Sequence, residues 1–318
     1  MQNKTNLNNY FMLPTTTSFG LKLYPVKLFE WERFNYLANK FIVMDIKTID
    51  NSLHQQFQKD KLMGTIPRKQ KYKKLQFDNL LDYILDLIYT NSVQIDQILS
   101  IKLSIKDLSD NDFNSLLDVY KNDEQGKQLI KFSKDVNIKD LVNLKNEFSE
   151  LIKIVTHCKK VIIKKNQINI VFEDNNKIIL DKDNFYEFRE IVMEQNLLYE
   201  PLIVRNLDAQ EMIDIDLKRK YGDEEMDLES LVAFVSTHIN KDIKDYTYYR
   251  LKADFTSLMM ENNYNLTAIY RANGCTTKNG GNLPMPNILA PLSINKNPYD
   301  GLFKESKENS LDKRLTGK

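Results

Sequence analysis

The stretch Val161-Ile-Ile-Lys-Lys-Asn-Gln-Ile-Asn-Ile-Val-Phe-Glu-Asp-Asn-Asn-Lys-Ile-Ile-Leu180 decides the fold class. Three short runs, 161–165, 168–172 and 177–180, are rich in Ile and Val. Asn166-Gln167 separates the first two and Asp174-Asn175-Asn176 the last two. β-Branched side chains fit a pleated, half-buried surface, and Asn and Asp supply turns, so the stretch reads as a three-stranded antiparallel meander. Nearly everything around it has the 3.6-residue apolar period of helices. The expected class is therefore mainly α with a small antiparallel β meander (α+β), with helical bundle modules and an extended C-terminal tail.

Toward the N-terminus of the meander, Phe77, Leu80, Leu81, Ile84, Leu85 and Ile88 line one helix face. Ile95, Ile98, Leu99 and Ile101 follow after a break expected at Asn91-Ser92. Ser109 to Asp112 has N-cap chemistry ahead of Phe113, Leu116, Leu117 and Tyr120. A further helix is expected over 138–157, carrying Leu141, Leu144, Phe148, Leu151 and Ile152, and the short connections favour antiparallel packing. On the C-terminal side, Asp181 or Asp183 can cap a helix through Phe185, Phe188, Ile191, Val192 and Met193. Helices are expected near 209–221, 228–240 and 243–264, and a last one starts near Asn265 and stops at Asn273-Gly274.

The first 58 residues read as a hairpin followed by a helix. Two extended segments meet at Ser18-Phe19-Gly20, Pro14 and Pro25 suit strand ends, and 27–44 carries Leu28, Trp31, Phe34, Tyr36, Leu37, Phe41 and Ile42 near helical spacing. The next segment, 59–74, contains Lys59, Lys61, Arg68, Lys69, Lys71, Lys73 and Lys74 with Gly64 and Pro67 between them, and reads as a basic loop. The remaining expected segments are a helical bundle at 75–158, the meander followed by helices at 159–274, and a tail at 275–318. That tail crowds Gly280, Gly281, Pro284, Pro286, Pro291 and Pro298 together, so it cannot be helical there. Its Leu283, Met285, Ile288, Leu289, Tyr299 and Phe303 are costly to leave in water, and they are the expected partner-binding residues.

Composition narrows the function classes. Lys and Arg number 45 against 44 Asp and Glu, which leaves a net charge of +1 and no long-range field for a polyanion. Nucleic acid is therefore not the expected partner, although Arg68, Lys69, Lys71 and Lys73 are the candidate anion-binding set. No apolar run is long enough to span a membrane, so none is expected as a partner. With 3 His, 2 Cys and 9 Gly there is little material for metal, thiol or phosphate-loop chemistry. His157 and Cys158 are adjacent and point about 100° apart on a helix, which is poor geometry for a catalytic pair. The carboxylates Asp214, Asp216, Asp223, Glu224, Glu225, Asp227 and Glu229 lack the Ca²⁺-loop register. Gly274 to Gly281 follows a helix instead of opening one, so no helix N-terminus reinforces its N–H groups and it reads better as a turn than as a phosphate loop. No catalytic residue, metal or cofactor is expected, and both thiols are expected to be buried or partly buried.

The opening Leu13-Pro14, Ser18-Phe19-Gly20-Leu21-Lys22, Pro25-Val26 and Glu30 resembles tail and baseplate assembly proteins of bacteriophages, in which an N-terminal strand pair leads into a short helix. The meander followed by Asp183-Asn-Phe-Tyr-Glu-Phe-Arg-Glu-Ile-Val-Met-Glu-Gln-Asn196 is similar to structural or tail-module proteins of phages infecting low-GC Gram-positive hosts. The resemblance implies a non-enzymatic, chaperone-like assembly factor acting through protein–protein binding. Its alternatives are a permanent structural component of the tail, baseplate or connector, and a nucleic-acid-binding accessory protein. The implied partners are other phage structural subunits, with oligomerisation inside an assembly, in the host cytoplasm or the virion.

Overall fold

The computed structural model describes residues 7–120, 123–221, 227–239, 242–288, 292, 294 and 297–299. The architecture is mainly helical with two small antiparallel sheets. The chain divides into two compact units. One comprises 1–76, 154–156 and 186–318, and the other 77–153 and 157–185.

The first unit opens with the hairpin. β1 (Thr15–Thr16) pairs with β2 (Lys22–Leu23) in the register Thr15 to Leu23 and Thr16 to Lys22. Gly20 closes the turn at φ 87°, a left-handed conformation that suits glycine. α1 (Leu28–Phe41) follows, and its buried face is Leu28, Trp31, Phe34, Leu37, Ala38 and Phe41, most of the expected stripe, whereas Tyr36 falls on the opposite face and is exposed. The Trp31 ring stacks on Tyr248, with centroids 4.4 Å apart. α2 (Ile46–Leu62) starts at Asp45, whose carboxylate accepts from the Thr48 N–H at 2.7 Å. α7 (Phe185–Gln195) enters this unit at Tyr186, and α8 (Leu207–Tyr221), α9 (Leu228–Ile239) and α10 (Tyr248–Ala272) complete it. Leu28, Leu231, Val235, Ile243, Tyr246 and Leu251 form one core cluster, with Phe234 and Phe255 packed against it.

The second unit holds α3 (Leu80–Ile105), α4 (Asp110–Val119), α5 (Glu124–Asp135), most of α6 (Leu144–Thr156) and the three-stranded sheet. β3 (Lys160–Ile163), β4 (Ile168–Val171) and β5 (Lys177–Leu180) form an antiparallel meander in chain order, with β4 in the middle. Ile168, Asn169 and Ile170 of that central strand are all buried. Ile105, Phe113, Leu117 and Ile130 make a separate core cluster. Lys102 fastens the end of α5, donating to the carbonyls of Ser133, Lys134 and Val136 at 3.3, 3.1 and 2.7 Å. A cation on orphan C-terminal carbonyls satisfies them and complements the helix dipole.

Three sequence expectations are corrected. α3 runs unbroken through Asn91-Ser92 over about 39 Å. The two polar side chains interrupt nothing. Ser92 Oγ donates back to the Ile88 carbonyl at 2.8 Å, and Asn91 holds the Val142 carbonyl and the Leu144 N–H at 3.1 and 3.0 Å. α10 is likewise continuous across Asn265, where a new helix was expected, and it ends at Asn273 with Gly274 at φ 77°. The basic stretch is helical in its first four residues, because α2 continues to Leu62 before Gly64 turns the chain at φ 79°.

Candidate interaction surfaces

Two surfaces of the first unit stand out, and both rest on how their neighbours are held. Along α2 runs a ladder of buried and half-buried polar groups. Arg189 of α7 is buried and donates to the carbonyls of Ile42 and Val43 at 2.6 and 2.8 Å and to Glu200 at 2.8 Å. Glu200 in turn accepts from the Asp45 N–H at 3.0 Å. Further along the helix, Asn51 donates to the Ile203 carbonyl at 2.8 Å, and Gln55 donates to the Val204 carbonyl. These bonds fix the Pro-containing connector after α7 to α2, and they satisfy backbone groups that no regular element serves.

Asp50 is the centre of the ladder. It is 3% exposed and accepts from Tyr72 Oη and the Leu75 N–H, each at 2.9 Å, and it pairs with Arg205. Burial pushes its carboxyl pKa up, but the hydrogen bonds from Leu75 and Tyr72 and the Arg205 guanidinium outweigh this and leave it below the usual carboxylate value. The Tyr72 ring sits edge-on to His54 at 4.9 Å and near Phe57 at 5.7 Å. Asp50 therefore tethers the end of the basic stretch. Between Pro67 and Tyr72 the chain turns, with Gln70 N–H on the Pro67 carbonyl at 2.9 Å, and Lys61 donates to the Gln70 carbonyl at 3.3 Å. Arg68, Lys69, Lys71, Lys73 and Lys74 all point into solvent. No described residue gives any of the five a carboxylate partner.

The second surface is the C-terminal part of α10 with the segment beyond it. The helix buries Tyr249, Leu251 and Ala253 near its start, but from Ser257 onward no side chain is buried. Met259, Leu266, Ile269 and Tyr270 are 37, 48, 54 and 52% exposed. Spacings of 7 and 4 place Met259, Leu266 and Tyr270 on one stripe, with Ile269 beside it. Glu261 and Arg271 are the only charges among the sixteen residues from Ser257 to Ala272, in a chain that is 28% charged.

Of the tail residues expected to bind a partner, Leu283, Met285 and Tyr299 are half-buried and Ile288 is exposed, while Leu289 and Phe303 lie outside the described residues. Thr276 and Asn282 pair across a small turn. Farther on, Tyr199 Oη donates to the Ile294 carbonyl at 3.4 Å and Lys220 to the Pro298 carbonyl at 3.3 Å. Parts of the tail thus lie on their own unit. Among the described residues, Leu283, Met285 and Ile288 share no hydrogen bond with Arg68, Lys69, Lys71 or Lys73. Sequence reasoning missed Asp50, Arg205 and the exposed stripe of α10. Nothing in the sequence marks Asp50, whereas the loss of charge over 257–272 was readable.

The other residues with chemical potential are dispersed. His157 ends α6 in a left-handed conformation at φ 53°, and Cys158 beside it is buried. Cys275 is exposed, against the expectation of a buried or partly buried thiol, because the turn after α10 leaves it uncovered. His238 stacks on Phe234 and holds its carbonyl at 2.7 Å. Asp223, Glu224 and Glu225 lie outside the described residues. Among the described residues no three His, Cys, Asp or Glu side chains gather as metal ligands. No described helix is long and apolar enough to cross a membrane.

Fold and surfaces together define a mainly helical protein with two small antiparallel sheets, an exposed apolar stripe on α10 and an exposed basic segment after α2. The chain is similar to the SPbeta prophage-derived uncharacterized protein YomV of Bacillus subtilis (strain 168), with 26% identity over 114 residues. That match covers 35% of this chain and 44% of the relative, so the chain spans less than half of the relative's length. No family model matches the chain, and no solved structure matches it.

Proposed function

We propose that the protein is a non-enzymatic assembly factor of a phage or prophage, working by binding another structural subunit. The observation that carries this reading is the C-terminal half of α10, where Met259, Leu266, Ile269 and Tyr270 stand exposed on a helix almost free of charge. Apolar stripes of this kind are used for helix-in-groove recognition. Leu283 and Met285, half-buried, and Ile288, exposed, lie in the non-helical segment that follows α10, and the prophage origin of the relative supports a partner among phage proteins. The alternative within the same class is a permanent virion subunit, favoured by a tail able to lie along a neighbour. The chaperone reading has the protein leave the particle, and the virion reading has it stay.

The test is a Leu266→Asp, Ile269→Asp variant introduced into the encoding phage or prophage. The yield of infectious particles should drop while the purified variant keeps its melting temperature. Unchanged yield with a normal melting temperature overturns the assignment of this surface. Mass spectrometry of purified particles separates the alternatives, since a chaperone is absent from them and a virion subunit is present in fixed ratio.

A further inference from the structure

We infer that the tethered segment from Arg68 to Lys74 is a sequence-independent contact for the phosphate backbone of duplex DNA. Five cations, Arg68, Lys69, Lys71, Lys73 and Lys74, fall within seven residues and are all solvent-exposed, and no described carboxylate neutralises them. A lone charge run is usually a solvated linker. Here the run is held: the buried Asp50 accepts from Tyr72 Oη and from the Leu75 N–H, Tyr72 packs against His54 and Phe57, and Lys61 secures the Gln70 carbonyl. Fixing both flanks lowers the ordering cost of presenting several charges to one ligand.

The net charge of +1 does not decide the matter. At physiological ionic strength the Debye length is about 8 Å, so a ligand in contact reads the local charge and not the total. The choice of duplex follows from the aromatic residues. Single-strand binders stack bases on exposed rings. Tyr72, the ring within the segment, is turned inward onto Asp50 and His54, and the next one, Phe77, lies edge-on to Tyr83 at 5.4 Å. Neither ring of this stretch is exposed for stacking, whereas phosphates on the outside of a duplex need only cations.

The test measures binding of the full chain to a labelled duplex of mixed sequence at salt concentrations from low to physiological. Each phosphate neutralised contributes about −0.9 to the slope of log K against log salt, so full engagement of five cations gives about −4.5 and the Lys69→Ser, Lys71→Ser, Lys73→Ser variant about −2. Tyr72→Phe keeps every charge but loosens the tether, and it should weaken binding severalfold with the slope unchanged. Absence of binding at low salt overturns the inference, as does a slope that the triple variant leaves intact. Stronger binding to a single strand of equal length overturns the choice of duplex. Equal binding to polyglutamate shows an acidic protein surface to be the ligand class instead.

Discussion

The two halves of α10 carry similar apolar residues and meet different fates. In the first, Thr247 caps the helix through the Arg250 N–H, Tyr248 lies against Trp31, Phe255 meets Phe234, and Tyr249, Leu251 and Ala253 are buried. In the second, Met259, Leu266, Ile269 and Tyr270 have nothing packed tightly over them. That half also contains Asn262, Asn263, Asn265 and Thr267, which are poor helix formers. Isolated helices of about 12–15 residues are marginal in water, so the second half depends on propagation from the first. The comparison teaches that one continuous helix can be core at one end and stand uncovered at the other. A partner that covers the second half would add the tertiary support it lacks.

The comparison breaks most visibly at Leu251. This side chain is fully buried, so Leu251→Ala should cost about 3 kcal/mol in denaturant unfolding of the full chain, with a cavity in the cluster around Val235 and Tyr246. Leu266→Ala, the same change on the exposed half, should stay within about 0.5 kcal/mol. Equal costs at the two sites would show that the second half is packed in solution and would remove it as a free surface.

A smaller effect is expected at Asp50, which anchors the basic segment as Leu251 anchors α10. Asp50→Asn removes a buried charged acceptor and should cost about 2 kcal/mol at neutral pH. The carboxyl is held below its ordinary value in the folded protein, so in acid the unfolded chain binds the proton first. The stabilisation is therefore complete above the unfolded value of about 4 and disappears as pH falls through the folded value. Melting curves between pH 3 and 7 should show the wild type losing its advantage over the variant below about pH 4. A gap that stays constant with pH would mean that the Asp50 carboxylate does not hold the segment.

The smallest effect sharpens the picture of the exposed half. Asn262→Ala and Asn263→Ala should each stabilise the helix by roughly 0.5 kcal/mol through propensity alone. Amide exchange should slow over 258–272 while protection over 249–253 is unaffected. If both stretches are already equally protected in the wild type, the two halves form one cooperative unit and the contrast between them fails.

Local pattern carried most of the architecture. The breaks at Asn166-Gln167 and Asp174-Asn175-Asn176 delimit β3, β4 and β5 as observed, since turn residues between β-branched runs act over a few positions. Ser109 caps α4 and Gly274 follows the end of α10 for the same local reason. Asn265 misled because a single poor helix former does not stop a helix that propagates from a packed first half, and Asn91 misled because its side chain is bonded elsewhere. Asn91 bonds to Val142 and Leu144, more than 50 positions away in the sequence.

The amino-acid sequence by itself determined the class of the chain, the helical periods, the meander, the hairpin at Gly20, the basic run and the scarcity of His, Cys and Gly, because each depends on residue type and near spacing. Only the tertiary structure decided that Asp50 takes Tyr72, Leu75 and Arg205, that Arg189 holds Ile42 and Val43, and which half of α10 is left uncovered. Burial and hydrogen-bond partnership belong to pairs of residues brought together from distant positions, and no single stretch of the chain contains that information.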